Sequence, residues 1–261
     1  MNRRSSSGCG IYAAVNAVGF VILTVLAGCA SSGNVEENRW TPLFNGRDLT
    51  GWTVQCKPAD REREFWRVED AAMVADSLGQ AGHDYVWLVT DREYSDFVLR
   101  LRFQAYRASP GNSGVQVRSR YDEGAGWLDG PQIDINPPDP WRTGMIWDET
   151  RQVNRWLSPG VPKGQWVDSS MAAPGLVFHY AGEGPGWNEL EISAVGTRIT
   201  VVLNGVRLTD YDGAGILDDE VHRQRNVGMK GHLALQIHRN DRLRIRFKDI
   251  VIRELISPSA P

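Results

Sequence analysis

Arg198-Ile-Thr-Val-Val-Leu-Asn-Gly-Val-Arg-Leu-Thr-Asp-Tyr211 carries the clearest strand–turn–strand pattern in the chain. Asn204-Gly205 lies between two runs that alternate apolar and polar residues. An Asn-Gly pair in that setting favours a two-residue type I′ turn, because both central positions need positive φ. Ile199–Leu203 is therefore expected to pair antiparallel with Val206–Tyr211, and Asn204 is read as a turn residue. Outward from this hairpin, similar runs recur between Gly, Pro, Asn and Asp clusters. They are 65–69, 85–90, 97–106, 114–120, 132–135, 187–194, 232–238 and 243–255, and helical periodicity is nearly absent. Many short strands without βα units imply an all-β sandwich of two antiparallel sheets. The interval 136–179, rich in Pro, Gly and Trp, breaks the rhythm and is expected to build the site.

Three of the runs carry polar side chains at alternate positions: Gly114-Val-Gln-Val-Arg-Ser-Arg120, Gly130-Pro-Gln-Ile-Asp-Ile135 and Leu233-Ala-Leu-Gln-Ile-His238. Side chains alternate across a strand. Gln116, Arg118 and Arg120, then Gln132 and Asp134, then Gln236 and His238, are expected to share an open sheet face, with Val115, Val117, Ile133, Ile135, Leu235 and Ile237 in the core. Amides, guanidinium groups, a carboxylate and an imidazole together suit a carbohydrate. The 10 tryptophans fit this reading, since flat indole faces stack on the CH faces of sugar rings.

A formal charge of -3 leaves no basic footprint, which argues against nucleic acid as a partner. Residues 1–28 read as a secretory signal, with Arg3 and Arg4 before the apolar run 17–26. That run is short for a bilayer span. Leu26-Ala-Gly-Cys29 resembles a bacterial lipobox, so Cys29 is the expected lipidation site and the membrane is reached through that anchor. Ala30 resembles the sorting residue of outer-membrane cargo. The expected organisation is a signal peptide (1–28), a lipidated N-terminus and tether (29–39), one domain (40–256) and a short tail (257–261). Cys56 is then the sole free thiol, in a stretch read as a loop.

Pro42-Leu-Phe-Asn-Gly-Arg-Asp-Leu-Thr-Gly-Trp52 resembles the opening motif of the 3-keto-disaccharide hydrolase family, a 3-keto-glycoside lyase and hydratase domain. Asn112-Ser-Gly-Val-Gln-Val-Arg118, Gly130-Pro-Gln-Ile-Asp134, Trp147-Asp-Glu-Thr-Arg151, Trp187-Asn188, Leu203-Asn-Gly205, Gly231–His238 and Phe247–Leu255 follow in the family's order. The resemblance implies a concanavalin-like jelly roll and cleavage of glycosides already oxidised to a ketone at C3. It also implies an upstream sugar 3-dehydrogenase that supplies them. Many relatives carry a glutamate where this chain has Gly130, with Asp129 or Asp134 as the nearby carboxylates that could replace it.

A C3 ketone acidifies the C2 proton, so a base can remove it and the enolate can expel the C1 substituent; water then adds across the double bond. Such a site needs a base, an acid and donors to the enolate oxygen. Asp134 and His238 are the candidate bases and Glu149 the candidate acid. Arg118 and Gln132 are candidates to hold the ketone or enolate oxygen, since a guanidinium suits developing negative charge. Gln116, Gln236, Asn112, Trp147 and Arg151 are candidate sugar contacts, Arg151 as a clamp or as a carboxylate partner. Asp134 paired with Arg118 is the competing structural reading. Asp134, Glu149 and His238 offer oxygen and nitrogen donors to a divalent metal. No metal-binding spacing is present, so no obligatory cofactor is expected. A jelly-roll glucanase would need an E-x-D-x-x-E run, which Asp134-Ile-Asn136 lacks. A non-catalytic carbohydrate-binding module on the cell surface is the alternative function.

Overall fold

The computed structural model describes residues 39–109 and 111–255. Cys29, the signal segment, most of the tether and the tail lie outside the described residues. One sheet runs β14 (Val206–Asp212), β13 (Arg198–Leu203), β12 (Asn188–Val195), β6 (Phe97–Ala105), β16 (Arg244–Glu254), β4 (Ala72–Asp76) and β3 (Trp66–Glu69), with β1 (Thr41–Pro42) also on β16. The other runs β11 (Arg155–Ser158), β10 (Ile146–Asp148), β9 (Pro131–Ile135), β7 (Ser113–Asp122), β15 (Gly231–Ile237), β5 (Val86–Tyr94) and β2 (Trp52–Cys56), with β8 (Trp127–Asp129) on β7. All these pairings are antiparallel, as the alternating pattern requires.

The Asn204-Gly205 hairpin forms as read, with φ of 49° and 81° at the two turn residues. Asn204 is structural beyond its turn: its Oδ1 accepts from Glu189 N–H and its Nδ2 donates to Val177 O, both at 2.8 Å. The core lies between the sheets, where Leu99, Leu101, Phe103, Ile192, Val201 and Phe247 meet Leu88, Val115, Val117, Ile133, Leu235 and Ile237. Cys56 is not in a loop; it ends β2 and is buried, which pushes its thiol pKa up.

The face of the second sheet that looks away from this core carries the polar residues. Register places Gln236, Gly114 and Asp134 in one row across β15, β7 and β9. Ala234, Gln116, Gln132 and Trp147 form the next row and extend it onto β10. Gly114 is required here, because a Cβ would sit 2.6 Å from the Gln132 side chain. The face is not open. Gln116, Gln132, Asp134 and Gln236 are all buried. A second apolar cluster, Trp87, Val89, Leu128 and Ala234 with Tyr85, Tyr121 and Trp127, covers part of it.

Candidate active site

A cleft of about 520 Å³ opens on this face. Asp134, Gln132, Asn112, Trp147, Glu149 and His238 all line it, so six of the residues singled out in the sequence are brought together. Asp134 and Gln132 come from β9, Trp147 from β10, and Glu149 from the chain just after it. His238 follows β15, where its N–H donates to Asn112 O at 3.3 Å. The Asn112 N–H in turn donates to Asp241 Oδ2 at 2.6 Å, so one residue fixes both ends of the His238–Asp241 turn.

Glu149 is almost wholly buried, and loss of hydration pushes its carboxyl up to about 7. His238 opposes that rise, as do the Trp147 and Gln236 side chains beside the carboxyl. Its backbone is held on both sides: the N–H donates to Gly130 O at 3.0 Å and the carbonyl accepts from Trp127 Nε1 at 2.8 Å. Gly130, at φ 131°, cannot host the relatives' glutamate here, since a Cβ would lie 2.2 Å from Ser119 Oγ. Its carbonyl instead accepts from the Glu149 N–H and anchors the segment just after β10.

Asp134 is also buried, which raises its pKa against the pull of Arg142. Arg142 Nη2 donates to Asp134 Oδ2 at 2.7 Å, and Gln132 Nε2 donates to Oδ1 at 3.3 Å. The same guanidinium lies 5.2 Å from the Trp156 ring centre and 5.4 Å from that of Trp166. Trp147, Trp156 and Trp166 are in mutual contact at 5.0 to 5.3 Å, and Trp166 is 58% exposed at the rim. On the opposite wall Tyr85 stacks on Trp87 and meets Trp127 and His238 edge-on. Tyr85 Oη lies 2.9 Å from His238 Nε2, and His238 Nδ1 lies 3.6 Å from Asp241 Oδ2. Burial raises the Tyr85 pKa well above the neutral range, so its hydroxyl stays protonated. The Asp241 carboxyl is held low: burial opposes this, but His238 and the Asn112 N–H outweigh it.

Arg118 is not in the cleft. A bulge shifts the β7–β15 register between His232 and Ala234, and Arg118 takes φ 50° there. One extra residue reverses which side the following residues face. The fully buried guanidinium donates to Ser95 O at 2.6 Å and to Gly196 O at 2.5 Å, and pairs with Asp96 at 2.9 Å. Its partner is thus Asp96, not Asp134. Arg120 pairs with Glu93. Arg151 grips Asp129 with two nitrogens and reaches Asp122, so it is a carboxylate partner and not a sugar clamp. Asp129 is thereby occupied and does not replace the missing glutamate. Gln116 donates to Leu128 O beneath the covering segment, outside the cleft, while Gln236 is buried next to Glu149.

Tyr85, Trp127, Arg142, Trp156, Trp166 and Asp241 line the cleft and were not singled out in the sequence. Three of them fall in the interval 136–179, whose composition was the available signal. Among the described residues, no group of three or more His, Cys, Asp or Glu side chains could hold a metal ion.

The fold is similar to that of a candidate glycosyl hydrolase from Parabacteroides distasonis ATCC 8503, at 21% identity and TM-score 0.52 over 83% of this chain and 94% of that one. It is also similar to a Bacillus subtilis protein of unknown function with a galectin-like fold, at 9% identity and TM-score 0.50 over 84% and 96% of the two chains. These likenesses agree with the jelly-roll reading. No curated protein matches the chain. The 3-keto-alpha-glucoside-1,2-lyase-like domain matches residues 39–253, nearly all of the described structure, and the chain therefore belongs to that family.

Proposed function

We propose that this cleft cleaves 3-keto-glycosides by removing the C2 proton, expelling the C1 substituent and hydrating the resulting double bond. The observation that carries the reading is Glu149: a carboxyl pushed up to about 7, in the same cleft as an imidazole and a guanidinium. A buried carboxyl with that pKa keeps its proton near neutrality and can pass it to the leaving glycosidic oxygen. His238, with the Asp241 carboxylate 3.6 Å from Nδ1 and the Tyr85 hydroxyl on Nε2, takes the C2 proton on Nε2 once substrate displaces that hydroxyl. Arg142, held by Asp134 and by two indole faces, meets the charge that develops on the enolate oxygen. Arg118, fully buried on Ser95 O and Asp96, lies away from the cleft and is not available for this role. Water then adds at C1, and proton return to C2 restores the ketone, so the net change is hydrolysis. The tryptophan wall supplies apolar contact for sugar rings.

Support for a carbohydrate substrate comes from the family and from the mixed aromatic and polar lining. We also propose, from the Leu26–Cys29 motif, that the protein is held at the cell envelope by a lipid on Cys29. A sugar 3-dehydrogenase would then supply the ketone. The test is product analysis with a 3-keto-disaccharide beside its unoxidised parent. Cleavage confined to the ketone supports the reading. Retention of both sugars without any product would instead favour a carbohydrate-binding module.

A further inference from the structure

The helix α1 (Glu220–Arg225) lies outside the cleft, yet His222 reaches the segment that carries Glu149 directly and Arg225 reaches it through Asp129. His222 is fully buried between two carboxylates: Nδ1 lies 2.8 Å from Asp219 Oδ1 and Nε2 lies 3.2 Å from Asp148 Oδ2. Asp148, also fully buried, immediately precedes Glu149. Its Oδ1 accepts from the Thr150 N–H at 3.1 Å, so this one side chain spans the residues on both sides of Glu149. One turn further along α1, Arg225 Nε lies 3.4 Å from Asp129 Oδ1. Asp129 holds Arg151, two residues after Glu149, through its backbone N–H at 2.8 Å and through the guanidinium. The segment 148–151 is therefore gripped from behind at both ends.

We infer that α1 is a strut that positions Glu149, with His222 acting through Asp148 and Arg225 acting through Asp129 and Arg151. This rests on the proposed role of Glu149. A buried carboxyl keeps its proton only while water stays out, and that depends on the backbone holding it against Trp127 and Gly130. The groups that face this cluster are Asp148 on β10, Asp219 at the helix start, Arg155 on β11 at 3.8 Å from Asp148, and Tyr211 on β14, whose hydroxyl senses Asp148 and Arg155. Asp148 and Asp219 together favour the imidazolium and outweigh the burial that opposes it, leaving the His222 pKa raised. With a carboxylate at each ring nitrogen, the His222 ring can donate to both Asp148 and Asp219 only when both nitrogens carry a proton.

Glu149 titration, followed by carboxyl carbon NMR in the full chain, tests the strut without using turnover. Wild type should titrate near 7. Asp219→Asn keeps a good helix cap, since Asn and Asp cap about equally well, but removes one charge from His222. It should lower the Glu149 midpoint by about one pH unit or more, toward the ordinary carboxylate range. His222→Gln and Arg225→Met should also lower it, although losing a cation would by itself raise a carboxyl's pKa, so a fall in these variants reports entry of water and not lost charge. Folded Asp219→Asn and Arg225→Met proteins with an unmoved midpoint would overturn the strut, as would a wild-type midpoint in the ordinary range. Failure of the functional reading would look different: a Glu149 midpoint near 7 that responds to α1, in a protein that cleaves no 3-keto-glycoside.

Discussion

Arg142 and Asp134 meet at 2.7 Å across the floor of the cleft, joining the Trp147–Trp156–Trp166 cluster to strand β9. If Asp134 acts by holding Arg142, the two residues form one functional unit. Asp134→Asn and Arg142→Met should then each lower kcat by about two orders of magnitude, the scale of a lost electrostatic donor. The double variant should cost little more than the worse single one, because coupled residues are not additive. Additive losses would show that Asp134 has its own step, such as taking the C2 proton.

Arg118 should behave as a structural residue. Its guanidinium ties Ser95, Asp96, Gly196 and Gly228 together away from the cleft. Arg118→Met should lower stability by about 3 to 5 kcal/mol, the usual cost of breaking a buried charge pair from one side. Denaturant unfolding measures this, and the folded fraction should keep the wild-type KM. A tenfold rise in KM with stability intact would return Arg118 to the site.

Glu149 should link both activity and stability to pH. Its folded pKa, about 7, is raised above its ordinary value of 4.5. The associated stability is fully present below about 4.5 and is lost as pH rises through about 7. Glu149→Gln cannot ionise, so it should gain on wild type by roughly 2 to 4 kcal/mol between pH 4 and pH 8.5, at 1.36 kcal/mol per pKa unit. Paired unfolding curves at the two pH values read this difference. In wild type, kcat/KM should fall on the alkaline side as Glu149 loses its proton near 7. An alkaline limb that persists in Glu149→Gln would have to come from another group.

Much of the sandwich was legible because half-buried strands alternate. Arg198–Leu203, Val206–Asp212 and Gly231–Ile237 fall within a residue of where the pattern places them. Ala72–Asp76 was missed because its first four residues are all buried, which removes the alternation. Ile146–Asp148 is three residues long inside a loop rich in turn formers. The site was legible wherever parity alone decides: Gln132, Asp134 and Gln236 do share a face. Parity failed at Arg118, since nothing in Val117-Arg118-Ser119 announces a bulge. Tyr85 and Trp127 gave no signal, because an aromatic residue beside a strand reads as core. Arg142 depended on a contact with Asp134 that no local pattern specifies.

The proposed reaction turns on removal of the C2 proton of a 3-keto sugar by His238. The decisive comparison is a 3-keto-disaccharide against its C2-deuterated form, on wild type and on His238→Ala. Wild type should turn over the deuterated substrate more slowly, and His238→Ala should lose about two to four orders of magnitude in kcat. Equal rates for the two isotopic forms, with His238→Ala folded and as fast as wild type, would show that His238 does not remove the C2 proton.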